Sequence, residues 1–187
     1  MGNDISTPVK KKDSKKSKVI NELQQVTGMG KDELRSWYDK FMEDNPSGHI
    51  TREDFIKAYE ESSPASAEFG ERIFDAYDLD GNGFVDVKEF VVTVNLASRG
   101  TVQEKLAWAF DLYDRDRDDF ITRQEAEDII FAIYEMDGSE DPMGKARETT
   151  AELFLKIDRN NDNLLSREEF LAGARSAHII GKLLPGC

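Results

Sequence analysis

The sequence predicts an all-α protein of two lobes, each a pair of helix–loop–helix units with a short β pairing between the two loops. Three segments place acidic and amide side chains at matching positions: DLDGNGFVDVKE from Asp78, DRDRDDFITRQE from Asp114 and DRNNDNLLSREE from Asp158. Apolar residues recur at helical spacing on both sides of each segment, as in amphipathic helices. The eighth residue of each segment is apolar, which favours antiparallel pairing between neighbouring loops.

The ligand pattern of these segments indicates calcium. An EF-hand loop offers oxygen ligands at positions 1, 3, 5, 7 and 9, with a bidentate Glu at position 12. The three segments, called loops 2, 3 and 4 in chain order, supply all of these ligands, with a backbone carbonyl at position 7. The predicted ligands are Asp78, Asp80, Asn82, Phe84, Asp86 and Glu89 in loop 2; Asp114, Asp116, Asp118, Phe120, Thr122 and Glu125 in loop 3; and Asp158, Asn160, Asp162, Leu164, Ser166 and Glu169 in loop 4.

Position 6 of such a loop usually holds glycine, which adopts a positive φ without strain. Loop 2 has Gly83 there, but loop 3 has Asp119 and loop 4 has Asn163. Asp and Asn tolerate the left-handed region better than most residues. We therefore expect up to three calcium ions, and whether loops 3 and 4 bind at physiological calcium, or hold Mg²⁺ at rest, is left open.

A fourth, degenerate loop precedes these three. EDNPSGHITRED, residues 43–54, keeps Gly48 at position 6 and Ile50 at position 8. However, Glu43 replaces the first Asp, Pro46 fixes φ and lacks an N–H, and Asp54 is shorter than the Glu expected at position 12. This loop 1 is predicted to be a structural partner for loop 2 and not a tight calcium site.

The chain divides into three parts. Residues 1–20 are lysine-rich and are expected to be flexible. Residues 21–98 are predicted to form the first pair of hands, and residues 99–187 the second pair with a C-terminal helix or tail; Gly100 marks the boundary because it ends a helix. The polar segment 139–147 is predicted to link the third and fourth hands.

Composition and charge exclude several function classes. The net charge of -13 argues against nucleic acid as a partner. No apolar run is long enough to span a bilayer, no signal peptide opens the chain, and the single Cys187 cannot form an internal disulfide. The only histidines are His49 and His178, and no phosphate-binding glycine loop is present. We therefore expect a cytoplasmic protein that is not an enzyme.

The N-terminus predicts a membrane anchor. MGNDIS fits the pattern for N-myristoylation at Gly2, with Ser6 at the favoured position. One acyl chain binds membranes only marginally, and the lysines between Lys10 and Lys18 supply a second, electrostatic signal toward anionic lipid. We therefore expect association with the cytosolic face of a membrane, either reversible or permanent.

The chain resembles the neuronal calcium sensors, the group that contains frequenin, recoverin, neurocalcin and the guanylate-cyclase-activating proteins. The resemblance covers residues 20–178 and Gly2, and its most specific motifs lie outside the loops: Trp37-Tyr38, Pro46-Ser47-Gly48-His49 and Ser98-Arg99-Gly100-Thr101, with Glu104-Lys105-Leu106, Trp108-Ala109-Phe110 and Leu112-Tyr113-Asp114 adding to them. A disabled first hand followed by three competent ones is that family's arrangement. Lys10–Lys18, Asp119, Asn163 and the terminal LLPGC depart from the family pattern.

The resemblance implies a calcium sensor whose helices open a groove for a target protein's helix or for its own myristoyl group. The predicted groove residues are Trp37, Phe41, Phe55, Tyr59, Phe69, Phe74 and Phe90. The C-terminal Ile179, Ile180, Leu183 and Leu184 either fill this groove or cap the second lobe. A regulatory subunit similar to calcineurin B, which MGN and GNGFVDVKEF favour, and a calcium buffer remain alternatives; homodimerisation is left open.

Overall fold

The computed structural model describes residues 8–62 and 67–176, and within them the chain is helical with two short antiparallel strand pairs. The helices are α1 (Pro8–Thr27), α2 (Lys31–Asp44), α3 (Arg52–Ser62), α4 (Ala67–Tyr77), α5 (Val87–Arg99), α6 (Val102–Tyr113), α7 (Arg123–Met136), α8 (Pro142–Ile157) and α9 (Arg167–Ser176). The strands are β1 (His49–Thr51), β2 (Phe84–Asp86), β3 (Phe120–Thr122) and β4 (Leu164–Ser166). This arrangement confirms the predicted all-α fold of paired hands.

The strand pairs join the loops two by two. β1 pairs with β2, placing Ile50 opposite Val85, and β3 pairs with β4, placing Ile121 opposite Leu165. These are the position-8 residues of the four loops, so the predicted pairing of hand 1 with hand 2 and of hand 3 with hand 4 is confirmed. The pairing fixes the two loops of each lobe side by side.

The helices that follow the loops begin with caps drawn from the predicted ligand positions. Asp86 caps α5 and accepts from the backbone N–H groups of Lys88 and Glu89, while Glu89 accepts from the Asp86 N–H in return. Thr122 and Glu125 form the same reciprocal capping box at the start of α7. Positions 9 and 12 therefore set the start of the helix as well as the predicted metal shell, which couples the two structurally.

Buried apolar residues form two clusters. The smaller cluster joins α1, α2 and α5 through Ile20, Leu23, Leu34, Phe41 and Val91. The larger cluster joins α4 to the helices of the second pair of hands, and its members include Phe69, Ile73, Phe110, Ile130 and Phe154.

Hydrogen bonds also join the two lobes. The Trp108 indole N–H donates to the Ala76 carbonyl at 3.4 Å, and the Tyr59 hydroxyl donates to the Met136 sulfur at 3.0 Å. The two lobes therefore share a core across α4 and α6.

The N-terminal segment differs from the flexible stretch predicted for residues 1–20. Helix α1 begins at Pro8, so most of this segment is helical. Val19, Ile20 and Leu23 are buried against α2 and α5. Lys16 pairs with Asp39 of α2 at 2.6 Å, and Glu22 pairs with Lys88 of α5 at 2.5 Å. Packing of this apolar face, rather than the composition of the lysine run, keeps the segment helical; Gly2 lies outside the described residues.

The connection between the third and fourth hands is shorter than the predicted linker 139–147. α7 ends at Met136 and α8 begins at Pro142. The Asp141 carboxylate accepts from the Gly144 N–H, and Pro142 occupies the first turn, so the sequence starts a helix inside the predicted linker. Between the lobes, α5 ends at Arg99 and Gly100 follows, close to the predicted boundary. None of the described helices combines the length and apolar character needed to cross a bilayer.

Candidate functional site

The first residue of each acidic loop holds the coil of that loop together. In loop 2 the Asp78 carboxylate accepts from the N–H groups of Asn82 at 3.0 Å and Gly83 at 2.9 Å. In loop 3 Asp114 accepts from Asp118 at 3.2 Å and Asp119 at 3.1 Å. These hydrogen bonds tie positions 5 and 6 back to position 1, so the loop curls around its own acidic side chains.

The backbone of loops 2, 3 and 4 turns at two left-handed residues, at positions 4 and 6. The φ values are 69° at Gly81 and 84° at Gly83 in loop 2, 59° at Arg117 and 67° at Asp119 in loop 3, and 56° at Asn161 and 65° at Asn163 in loop 4. Asp119 and Asn163 therefore take the conformation that glycine usually supplies at position 6. A left-handed conformation costs a residue with a side chain about 1–2 kcal/mol, least for Asn and Asp, so Arg117 is the least favourable of the six.

Loops 2 and 3 each bring three carboxylates together. Asp78, Asp80 and Glu89 place oxygens within 4.8 Å of one another, and so do Asp114, Asp116 and Asp118. Burial, with the neighbouring carboxylates of Asp86 and Asp80, raises the pKa of Glu89 above its ordinary value. Closely spaced carboxylates repel one another, and a bound divalent cation removes this repulsion.

Loop 4 shows the clearest unsatisfied oxygen. Its Asp158 Oδ2 accepts from the Asn163 N–H at 3.0 Å, whereas its Oδ1 is buried and has no hydrogen-bond partner. A buried carboxylate oxygen without a partner carries a desolvation cost that a coordinated cation removes. The donor set of Asp158, Asp162 and Glu169 consists of hard oxygens, which suit Ca²⁺ better than a softer metal. The residues present therefore fit a calcium ion.

The Glu at position 12 is held by backbone N–H donors in each of these loops, and by a hydroxyl donor as well in loops 3 and 4. Glu89 Oε1 accepts from the Asp80 N–H at 3.2 Å. Glu125 Oε2 accepts from the Thr122 hydroxyl at 2.7 Å, and Glu169 Oε2 accepts from the Ser166 hydroxyl at 2.6 Å. The Ser166 hydrogen bond lowers the pKa of Glu169, so this carboxyl is anionic and ready to ligate at neutral pH.

Loop 1 cannot adopt the same coil. Its position 6, Gly48, has a φ of 85°, like the position-6 residues of the other loops. Its position 4, however, is Pro46, whose ring locks φ at about −65°, while the corresponding residues of the other loops have positive φ. At position 12, the Asp54 carboxylate accepts from the Thr51 hydroxyl at 2.7 Å. The backbone of loop 1 therefore differs from that of the other loops at position 4, and its structural role stays a prediction.

The predicted groove residues form a connected set of aromatic rings. Phe90 contacts Trp37 with ring centroids 6.1 Å apart and Phe41 at 5.4 Å, and these three side chains line a cavity of about 400 Å³ together with Ile50. Glu33, Lys40 and Asp44 contribute the charged side chains of the same cavity. The cavity combines apolar with charged side chains, as expected for a surface that binds an amphipathic helix.

The other predicted groove residues pack against one another in two aromatic pairs. Phe55 packs edge-on against Phe74 at 5.5 Å, and Tyr59 packs against Phe69 at 6.0 Å. Phe69 and Phe74 are only 2% and 0% exposed. Among the described residues, the Trp37 end of the predicted groove lines a cavity, and Phe69 belongs to the core shared by the two lobes.

Sequence reasoning missed the left-handed residues at position 4. Gly81 and Asn161 are residue types that favour this conformation, and Pro46 is the one that forbids it, so the signal was present in the loops. The C-terminal Ile179, Ile180, Leu183 and Leu184, for which the sequence left two placements open, lie outside the described residues.

Comparison with known proteins matches the three acidic loops. A family model described as an EF-hand domain pair matches residues 103–175, and an EF-hand model matches residues 71–92. The chain is 36% identical over 159 residues to a guanylyl cyclase inhibitory protein of Lithobates pipiens, covering 81% of this chain and 77% of the relative. It is 38% identical over 154 residues to guanylyl cyclase-activating protein 1 of the same species, covering 81% of this chain and 75% of the relative.

Proposed function

The chain belongs to the neuronal calcium sensor family, and from that premise we propose that it is a calcium sensor that regulates a guanylyl cyclase. The observation that carries the proposal is the coil shared by loops 2, 3 and 4, with left-handed residues at positions 4 and 6 around a set of hard oxygen ligands. One of the two relatives named above is called an inhibitory protein and the other an activating protein. The activity assay described below therefore determines whether this protein raises or lowers the activity of the cyclase.

The three metal sites follow the ligand pattern. Asp78 and Glu89 anchor the first, Asp114 and Glu125 the second, and Asp158 and Glu169 the third, with the intervening side-chain and carbonyl oxygens completing each shell. A bound divalent cation would balance the negative charge of these clustered carboxylates. Mg²⁺ at resting calcium is the competing occupant in this proposal.

The groove is the surface through which we propose that the sensor binds its target. Glu89 holds both the loop 2 shell and the first turn of α5, and Phe90 is the next residue along that helix. Phe90 also contacts Trp37 and Phe41 in the apolar cavity. A change in the position of Glu89 would therefore move the Phe90 ring, and the groove would then admit an amphipathic helix of the cyclase.

Membrane association is the second part of the proposal. Gly2 is the acceptor for myristoylation, and the lysines from Lys10 to Lys18 attract anionic lipid. The test is sedimentation of myristoylated protein with anionic liposomes, with and without calcium, beside the Gly2→Ala variant. Calcium-dependent pelleting that Gly2→Ala abolishes supports a reversible switch. Pelleting that ignores calcium supports a permanent anchor, and no pelleting of the myristoylated protein contradicts the membrane role.

The experiment that tests the function measures cyclic GMP production. A guanylyl cyclase is incubated with this protein at free calcium concentrations from nanomolar to millimolar. We expect its activity to change about fivefold or more across that range. The matched control carries Glu89→Gln, Glu125→Gln and Glu169→Gln, which removes the position-12 ligands without changing the length of the side chains. A cyclase that responds equally to wild type and control, or to neither, contradicts the proposal.

A further inference from the structure

Arginine occupies position 10 in three of the four loops, where each exit helix begins. These residues are Arg52 at the start of α3, Arg123 at the start of α7 and Arg167 at the start of α9. Loop 2 has Val87 at this position. The ligand pattern does not use position 10, so these arginines are not accounted for by the metal shells.

Each of the three guanidinium groups crosses to the paired hand and lies over a phenyl ring. Arg52 lies over Phe74, Arg123 over Phe154 and Arg167 over Phe110, each at 4.4 Å from the ring centroid. Each ring belongs to the residue four positions before the first ligand of the paired loop. Because these rings are fully buried or nearly so, they fix the plane and direction of the guanidinium groups.

In the second pair of hands, the arginines also reach the paired loop itself. Arg123 Nε donates to the Asn163 side-chain oxygen at 3.1 Å. Arg167 donates through Nη2 to the Asp111 carboxylate at 2.5 Å, and its Nε also lies 3.7 Å from the Asp119 carboxylate. Asn163 and Asp119 are the two residues that replace glycine at position 6. The contact is therefore reciprocal: position 10 of each loop touches position 6 of the other.

The first pair of hands lacks this reciprocity for a chemical reason. Position 6 of loop 2 is Gly83, which has no side chain to receive an arginine. Arg52 keeps its ion pair with Asp75 at 2.6 Å, which is the counterpart of the Arg167–Asp111 pair. In the other direction, Val87 has no donor to offer loop 1. Reciprocal contacts thus occur where both loops of the pair carry a full set of predicted ligands.

The contacted residues are directly linked to the first metal ligand of their own loop. The Asn163 N–H donates to Asp158 Oδ2 at 3.0 Å, and the Asp119 N–H donates to Asp114 Oδ2 at 3.1 Å. Two contacts therefore join an arginine of one loop to the position-1 carboxylate of the other.

We propose that Arg123 and Arg167 are positioning residues, each arranging the paired loop for its calcium ion. The proposal rests on the proposed function, since it concerns the same metal loops. Asp119 and Asn163 are then the side chains through which each arginine acts on the paired loop. A glycine at position 6 would adopt the left-handed backbone more easily but would offer no side chain to contact.

The test follows each loop separately by NMR during a calcium titration of the full chain. The backbone amides of Ile121 and Leu165 report on loops 3 and 4, because both lie at position 8 and neither belongs to the contacts described above. Arg123→Met is expected to raise the dissociation constant of loop 4 about threefold or more, and to change loop 3 less. Arg167→Met is expected to give the reverse pattern.

Controls separate positioning of the paired loop from general weakening. Arg52→Met removes the same ring contact in the first pair of hands and should leave both dissociation constants unchanged. Asn163→Gly, which suits the left-handed backbone there, should make loop 4 insensitive to Arg123→Met, and Arg123→Lys, which keeps a donor, should restore part of the affinity. Variants that weaken mainly their own loop, weaken both loops equally or weaken neither overturn the proposal that each arginine positions the paired loop. If the wild-type amides of Ile121 and Leu165 do not respond to calcium at all, the proposed metal sites at loops 3 and 4 fail first.

Discussion

Ile121 and Leu165 lie directly opposite each other in the strand pair that joins loops 3 and 4, and both side chains are fully buried. Replacing Ile121 with Ala removes buried methyl groups at the centre of this pairing. We expect the free energy of unfolding of the calcium-free protein to fall by about 2–5 kcal/mol, measured by urea denaturation. The equivalent Ile50→Ala in the first pair of hands is the control, and its half-buried position predicts a smaller loss. Equal losses would contradict this account of the core.

Glu89→Gln is expected to remove one calcium ion from the protein. The substitution keeps the side-chain length but replaces the anionic bidentate ligand of loop 2 with a neutral amide. Calorimetric titration should record one site fewer than in the wild type. Asp54→Asn, at the same position of loop 1, should leave the number of sites unchanged, and a lost site in that variant would mean that loop 1 binds calcium.

Loop 1 should gain a site when its three defects are repaired together. Glu43→Asp restores the first ligand, Pro46→Gly permits the left-handed turn at position 4, and Asp54→Glu restores bidentate reach. Calorimetry on the triple variant should record one more calcium site than on the wild type. The variant that repairs only positions 1 and 12 should not gain a site, because Pro46 still prevents the coil. A gain in that double variant would show that the backbone argument is wrong.

Gly173 of α9 packs directly on the core. A Cβ placed there would lie 2.7 Å from both γ carbons of the buried Ile157. Gly173→Ala should therefore lower the free energy of unfolding by about 1–3 kcal/mol in thermal or urea denaturation. Gly70→Ala in α4 is the control: its added methyl group would meet Tyr59 Cδ1 at 3.4 Å, an ordinary contact, and helix propensity favours Ala by about 1 kcal/mol. A stable Gly173→Ala protein would contradict the described packing.

The loops and their pairing could be predicted from the sequence because their geometry is local. Ligand spacing places Asp78 and Glu89 in one shell, and the apolar position 8 gives the register of Ile121 with Leu165. The different backbone of loop 1 at position 4 was likewise readable from Pro46. Each of these features depends on residues close together in the chain and on backbone rules that hold in any fold.

Features set by tertiary packing could not be predicted in this way. The helix from Pro8 depends on burial of Ile20 and Leu23 against α2 and α5, which composition does not reveal. Phe69 reads as a groove residue in sequence, yet it packs with the second pair of hands. The crossing of Arg123 and Arg167 to the opposite loops also requires the two hands to be paired first.

The measurement that tests the central claim most directly is the fluorescence of an apolar dye during a calcium titration. A sensor opens the cavity beside Trp37, Phe41 and Phe90, so dye fluorescence should rise as calcium fills the loops. The triple variant with Gln at Glu89, Glu125 and Glu169 should show no rise. If calorimetry records calcium binding to the wild type while dye fluorescence stays constant, the protein binds calcium without opening, and the account of it as a sensor is wrong.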